Sequence, residues 1–113
     1  MIREAVMKLG FRDMYEVSLG ADFVSKNEGQ ELLEHYEAGE KMTTSCCPAF
    51  VSLIKKHYPQ VLKYMSTTVS PMTATGRLIK AMHPDAVCVF IGPCIAKKSE
   101  VIDSITSVVR IMP

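Results

Sequence analysis

The sequence has no excess of charge of either sign. Its 13 lysine and arginine residues nearly balance 12 aspartate and glutamate residues, which leaves a formal net charge of +1. This balance gives no electrostatic reason for binding nucleic acid or an anionic membrane surface. We therefore expect no nucleic-acid partner.

Long apolar runs are also missing, because none approaches the roughly 18 to 20 residues that a membrane-spanning helix needs. The N-terminus places Arg3, Glu4 and Lys8 among its apolar residues, so it does not form the apolar centre of a signal peptide. The four cysteines include an adjacent pair, and we expect reduced thiols, free or bound to metal, rather than disulfides. These features predict a cytoplasmic protein without a membrane span.

What the sequence does contain is a chain of 113 residues with 48% apolar and 22% charged residues, which is typical of one packed domain. Apolar spacing and terminating glycines or prolines predict five helices. They cover Ile2–Leu9, Phe23–Tyr36 (with a cap at Ala38 and Gly39), Ala49–Tyr58, Gln60–Met65 and Pro71–Met82. Pro48 suits the first position of the third helix, and Ser70-Pro71 opens the last one.

Three segments have the composition of strands. They are Met14–Leu19, which ends at Gly20, Lys41–Ser45 and the buried run Ala86–Ile91. Strands separated by helices predict an α/β fold in which helices flank a parallel sheet, with functional groups at the carboxyl ends of the strands. A last apolar run, Val108–Met112, ends without a helix cap, and we expect the chain to be a piece of a longer domain.

The first cysteine loop is segment 44–48 (Thr-Ser-Cys-Cys-Pro). It places two thiols immediately before a predicted helix, where free backbone N–H groups and the helix dipole favour a thiolate. Because neighbouring side chains in an extended backbone point in opposite directions, one cysteine can bind metal while the other faces a separate pocket.

The second cysteine loop is segment 92–100, in which Lys97 and Glu100 follow Cys94 at intervals of three residues. In a helical turn these three side chains share a face. Soft thiolates select iron-sulfur clusters, zinc or copper(I), and an ammonium group would compensate an anionic cluster. The two loops offer Cys47 and Cys94 as ligands, so the other ligands of a four-thiolate site must come from elsewhere.

Taken in order, the Thr-Ser-Cys-Cys-Pro segment and the Pro-Cys segment with its later lysine and glutamate resemble the first two of three signature motifs of the iron-only (FeFe) hydrogenases. Residues 1–113 would then be part of the catalytic domain of the large subunit. The resemblance implies reversible reduction of protons to molecular hydrogen, or sensing of hydrogen at the same site. It also implies that the fragment alone is inactive.

The resemblance assigns a role to each matching residue. Cys47 and Cys94 become ligands of a four-iron four-sulfur cubane, which together with a two-iron subcluster forms the H-cluster of the full-length protein, while the fragment alone is expected to hold no cofactor. Cys46 becomes the proton donor to the two-iron site, and Lys97 hydrogen-bonds one of its cyanides. The residues matching the proton path are Glu28, Glu31 and Ser66.

The same resemblance implies the partners of the chain. They are the remainder of the catalytic domain with the third cysteine motif, a ferredoxin-type electron donor or acceptor, and the proteins that mature the H-cluster. The chain also departs from the family pattern, since Phe50 stands where tryptophan is usual and Gly92 where methionine is usual. These departures are typical of a less common subgroup, whose members are catalytic or sense hydrogen.

Two other functions remain open. The first is a non-catalytic iron-sulfur protein, like the eukaryotic cluster-assembly factors that resemble hydrogenases. The second is a zinc or thiol-redox module, which would require a strained disulfide between adjacent cysteines in its redox form. For Cys88, inside an apolar run, we expect plain core packing.

Overall fold

The structure, a computed structural model, describes residues 1–103 and 109–111. Helices dominate the described residues. In chain order the elements are α1 (Ile2–Lys8), α2 (Val17–Glu37), α3 (Pro48–His57), a 3-10 helix (Pro59–Tyr64), α4 (Pro71–Met82), β1 (Cys88–Phe90), α5 (Ala96–Asp103) and β2 (Val109–Ile111).

The central contact of the fold is the packing of α2 against α4. Gly20 of α2 is buried, and a Cβ atom at this position would overlap the Thr75 hydroxyl and the backbone carbonyl of Pro71. The buried residue one turn later is Val24. Because Gly20 and Val24 are four residues apart, they lie on one face of α2, and this face packs on the first turns of α4.

This contact explains why the predicted strand Met14–Leu19 is wrong. The helix already begins at Val17, after Glu16 in an extended conformation, and Leu19 is exposed. The apolar residues of this segment suggest a strand that stops at Gly20. In the structure Gly20 does not end an element. It lies inside α2, where the absence of a side chain lets α4 approach closely.

The predictions that rested on local signals are confirmed. Gly39, with a φ of +70°, follows the end of α2 in the left-handed conformation that favours glycine. Pro48 and Pro71 each occupy the first turn of a helix, and the Ser70 hydroxyl caps α4 by accepting from the Thr73 amide at 3.3 Å. The predicted helix Gln60–Met65 is a 3-10 helix.

The predicted sheet is much smaller within the described residues. Strand β1 pairs in parallel with β2, Cys88 opposite Val109, and the predicted strand Lys41–Ser45 is reduced to a single parallel bridge between Thr43 and Met65. A larger parallel sheet flanked by helices is therefore not confirmed. Val108 and Met112, which belong to the last apolar run, lie outside the described residues.

The apolar core of the described residues is small. Its buried hydrophobic members are Val24, Ile54, Met72 and Cys88. The radius of gyration is 15.8 Å, against about 13 Å for a compact domain of this length. Large apolar side chains such as Phe23 and Leu33 are more than half exposed. Within the described part of the chain, no helix is both long enough and apolar enough to cross a membrane.

We predict that Gly20→Ala destabilises the protein by about 1–3 kcal/mol or more, because the added methyl group overlaps α4. Gly29→Ala is the matched control, since this glycine of the same helix has open space around its Cβ position and should gain about 0.5–1 kcal/mol. Urea denaturation followed by circular dichroism measures both. Equal effects of the two substitutions would contradict the close contact.

Candidate functional site

The first cysteine loop is held beside the segment that follows the 3-10 helix. The Thr43 amide donates to the carbonyl of Tyr64 at 2.7 Å, and the Ser66 amide donates to the carbonyl of Thr43 at 2.8 Å. Segments 43–45 and 64–68 therefore run side by side. The two thiols that follow differ in their surroundings, because Cys46 is half-buried and Cys47 is exposed.

The hydroxyl of Thr44 lies between the Cys46 thiol and the Glu28 carboxylate. Its Oγ1 atom is 3.3 Å from Cys46 Sγ and 2.9 and 3.0 Å from the two carboxylate oxygens of Glu28. The Ser45 amide donates to the same carboxylate at 3.1 Å. The loop that carries the adjacent cysteines is thus anchored to α2 through one half-buried glutamate.

A second glutamate of α2 holds the neighbouring segment in the same way. Glu31 accepts from the hydroxyl of buried Ser66 at 2.6 Å, from the amide and hydroxyl of Thr67 at 3.0 and 3.2 Å, and from the hydroxyl of Thr68 at 3.3 Å. The sequence resemblance places Glu28, Glu31 and Ser66 among the candidate residues. The structure brings Ser66 directly to Glu31.

These hydrogen bonds determine the acidity of Glu31. Burial raises the pKa of this carboxyl, but the donors from Ser66, Thr67 and Thr68 favour the charged form, and the net effect lowers the pKa below its ordinary value of 4.5. Glu31 is therefore ionised at neutral pH and binds its donors as a carboxylate.

The two glutamates are linked through the loops rather than by direct contact. The Ser45 hydroxyl donates to the carbonyl of Thr68 at 2.5 Å, and Ser45 also contacts Glu28 while Thr68 contacts Glu31. Within residues 1–103, no hydrogen bond joins Glu28 to Ser66 directly. A proton passing between the two glutamates needs a water molecule or a side-chain movement at this point.

An open cavity of about 430 Å³ borders the outer side of Glu31. Its other lining residues are Asn27, Gln30, Glu34, His35, Thr67 and Thr68. Because these residues are polar, the cavity admits water to the Glu31 carboxylate. Glu31 thus has one side on segment 66–68 and the other side on solvent.

The second cysteine loop leads into α5, which begins at Ala96, and Cys94 lies just before it and is exposed. The Lys97 ammonium donates to Glu100 at 3.0 Å, and these two side chains are only 12% and 17% exposed. The Thr73 hydroxyl of α4 donates to the other oxygen of Glu100 at 3.1 Å. Of the three side chains predicted to share a helix face, Lys97 and Glu100 do so, whereas Cys94 precedes the helix. Thr73 of α4 contacts the pair through Glu100.

The described residues do not form a complete metal site by themselves. No cluster of three or more cysteine, histidine, aspartate or glutamate side chains in residues 1–103 has the geometry to hold a metal ion. Cys47 and Cys94 are both free and exposed, and the helices that follow them, α3 and α5, pack against each other. This donor set fits part of an iron-sulfur site, with two thiols available and further ligands required.

Some contacts of the site were missed by sequence reasoning. Thr44 is separated from Glu28 by 16 residues and Thr67 from Glu31 by 36, so no local pattern signals these contacts. For Cys88 the expectation of core packing is confirmed, because the residue is buried in β1. Burial raises the pKa of its thiol, and the positive charge of Lys80, which favours the thiolate, offsets this rise only in part.

Comparison with known proteins identifies relatives over nearly the whole chain. Residues 1–109 match the family model of the C-terminal domain of the iron-only hydrogenase large subunit. Iron hydrogenase 1 of Clostridium pasteurianum is 31% identical over 109 residues, which cover 88% of this chain and 19% of that protein. The cytosolic Fe-S cluster assembly factor NAR1 of Scheffersomyces stipitis is 32% identical over 110 residues, covering 88% of this chain and 20% of that protein.

Solved structures agree with the sequence relatives. A variant of the FeFe-hydrogenase HydA1 from Chlamydomonas reinhardtii superposes with a TM-score of 0.77 at 29% identity, and the match covers 96% of this chain and 32% of that one. The chain spans about a fifth of the length of the two curated relatives above.

We predict that Ser66→Ala raises the pKa of Glu31 toward 4.5, because it removes the shortest hydrogen bond to the carboxylate. A group with a lowered pKa stabilises the folded state above its unfolded pKa, and this contribution disappears as the pH falls through the lowered value. The stability difference between wild type and variant should therefore be full at neutral pH and shrink below about pH 4.5.

Carbon-13 NMR titration of the glutamate carboxyls measures this shift directly. Thr44→Val is the control, since it removes a donor from Glu28 and leaves the four donors of Glu31 in place. An unchanged Glu31 titration in Ser66→Ala would show that this hydroxyl does not set its acidity.

Proposed function

Because the chain belongs to the family of the C-terminal domain of the iron-only hydrogenase large subunit, we propose that its parent protein interconverts protons and molecular hydrogen, or senses hydrogen with the same chemistry. The observation that carries the proposal is the row formed by the Cys46 thiol, the Thr44 hydroxyl and the Glu28 carboxylate. Such a row suits a proton donor that must be recharged from solvent.

In this proposal Cys47 and Cys94 supply two thiolates to a four-iron four-sulfur cubane, and the third cysteine motif of the parent supplies the others. Once bound, the complete H-cluster would provide electrons and the iron site at which hydrogen is activated. Both thiols are exposed in this chain, so each is accessible to a cluster. The fragment alone holds too few ligands, so its activity requires the rest of the domain.

The chain itself delivers the proton. Cys46 holds the proton at Sγ and gives it up toward the reacting site. The Thr44 hydroxyl then passes its own proton to the thiolate sulfur and accepts another at Oγ1 from the Glu28 carboxyl. Each transfer joins atoms about 3 Å apart, which is within reach for proton exchange.

The outer half of the path runs through Ser66 and Glu31 to the open polar cavity. Ser66 shares a short hydrogen bond with Glu31, and one water molecule or a small movement of Glu28 closes the gap between the two halves. The strongly held Glu31 carboxylate releases a proton readily but captures one with more difficulty, because its pKa is lowered.

Lys97 provides the electrostatic part of the site. An ammonium group has three donors, and Glu100 uses one of them, so two remain for a cyanide ligand or another anionic group. The low exposure of Lys97 strengthens any such bond, because little water competes. Thr73 donates to Glu100, and Glu100 accepts from Lys97, so these contacts fix the orientation of the Lys97 ammonium group.

The remaining partners follow from the family. We propose that the rest of the catalytic domain covers the exposed apolar faces of the chain and extends the parallel sheet that begins with β1 and β2. Maturation proteins would assemble the two-iron subcluster, a ferredoxin-type protein would exchange electrons, and the parent would work in the cytoplasm.

A second candidate is an iron-sulfur assembly role, and the similarity to NAR1 favours it. A plain cubane needs neither a thiol beside its ligands nor a buried ammonium group. The Cys46–Thr44–Glu28 row and the Lys97–Glu100 pair therefore favour the hydrogenase chemistry. Infrared spectroscopy separates the two, because only a hydrogenase site has bands from iron-bound carbonyl and cyanide.

We predict that the full-length, matured parent shows these bands and exchanges hydrogen with a redox dye. Cys46→Ala should lower the exchange rate by about 100-fold or more while keeping the bands, since general acid–base groups contribute about 10²–10⁴. Cys88→Ala is the matched control, because this thiol is buried in β1 and should leave the rate unchanged. A wild-type protein without the bands would reject the hydrogenase function.

We predict that Glu31→Gln lowers proton reduction by about tenfold or more, because an amide cannot carry the proton that a carboxyl carries. The carbonyl and cyanide bands should remain, which separates proton supply from cluster assembly. Glu37→Gln, at the exposed end of the same helix, serves as the control. Equal rates for all three proteins would place the proton path elsewhere.

A further inference from the structure

The second cysteine loop begins with a glycine that is covered by an aromatic ring. If residue 92 carried a Cβ atom, that atom would lie 2.8 Å from Cζ and 3.0 Å from Cε1 of Phe90. A contact this short requires a shift, and because the contacting atoms lie at the tip of the Phe90 side chain, the ring is the group that would move. The ring occupies the space into which a residue 92 side chain would extend.

Backbone conformation does not explain this glycine. Among the described residues, the glycines with positive φ are Gly10 and Gly39, so a left-handed backbone is not what requires glycine at position 92. The three heavy atoms nearest to a Cβ at this position all belong to the Phe90 ring, so the ring is the obstacle to a side chain here. Position 92 is also where the chain departs from the methionine that is usual in the family.

The position of the ring is anchored by the sheet. Phe90 is the last residue of β1, and its backbone pairs with Ile111 of β2. In an extended backbone, side chains two residues apart lie on the same side, which brings the ring of residue 90 over residue 92. The ring is half-buried, and it lies four residues before Cys94.

We propose that Phe90 and Gly92 form one coupled pair, in which the aromatic ring provides the apolar wall at the entrance of the second cysteine loop in place of a side chain from residue 92. The proposal rests on the proposed function only in that this wall would border the H-cluster. A ring has fewer rotatable bonds than an unbranched thioether chain, so the wall is stiffer and carries no sulfur.

A double-substitution experiment on the full-length protein tests the coupling. In the cluster-free protein, Gly92→Met should lower the thermal midpoint by at least about 3 °C, because the new side chain meets the ring. Phe90→Ala opens the space, so in the Phe90→Ala background Gly92→Met should lower the midpoint by at most half as much as it does beside Phe90. If Gly92→Met does not fold, the same comparison is made with Gly92→Ala.

Val89 provides the control for the coupling, since its side chain lies on the other face of β1. The effects of Val89→Ala and Gly92→Met should add. If the changes in thermal midpoint caused by Phe90→Ala and Gly92→Met also added, the proposed pair would be overturned.

A second readout concerns the cluster. In the matured protein, the carbonyl and cyanide band frequencies should shift in Gly92→Met, and the size of that shift should differ when Phe90 is alanine. Identical shifts in both backgrounds would refute the shared wall. If the wild type lacks these bands, the proposed function fails, and the thermal comparison still decides whether the pair is coupled.

Discussion

The close packing of α2 on α4 is the constraint on which the candidate site depends. Gly20 lets the two helix backbones approach, and this contact fixes the distance between α2 and α4. At this distance, Glu28 of α2 reaches the first cysteine loop and Glu31 reaches the segment after the 3-10 helix. The same α4 carries Thr73, which orients the Glu100–Lys97 pair. Both cysteine loops are thus positioned by one helix pair.

The carboxylates of α2 serve two purposes that work against each other. A carboxylate with several donors holds its loop firmly, and the four donors of Glu31 lower its pKa for this reason. The same donors make the group a weaker proton acceptor. Glu28 meets fewer donors and lies nearer to the thiol of Cys46, so the inner and outer glutamates differ in their surroundings although they are three residues apart. The fold therefore orders segment 66–68 and at the same time makes Glu31 less basic.

Sequence reasoning succeeded where the signal was local. Pro48, Ser70 with Pro71, and Gly39 mark helix ends through their own backbone chemistry, and the structure confirms each of them. It failed at Met14–Leu19, because an apolar segment before a glycine suits a strand as well as a helix that begins early. The contacts of Thr44, Thr67 and Thr73 depend on tertiary packing, which no spacing reveals. The functional roles of all the site residues stay predictions: Cys46, Cys47, Cys94, Lys97, Glu28, Glu31 and Ser66.

The three-residue interval between Glu28 and Glu31 has an evolutionary consequence. A helix advances about 1.5 Å per residue, so Glu28 and Glu31 lie less than one turn apart. This interval sets the spacing of the two segments that they hold, 43–45 and 66–68, whatever the sequences of those segments. Insertions or deletions in either loop can be absorbed only while its donors still meet these carboxylates. An insertion within α2 between the two glutamates would instead rotate one of them away from its loop. Divergent members of the lineage should therefore vary the loops and preserve the helix register.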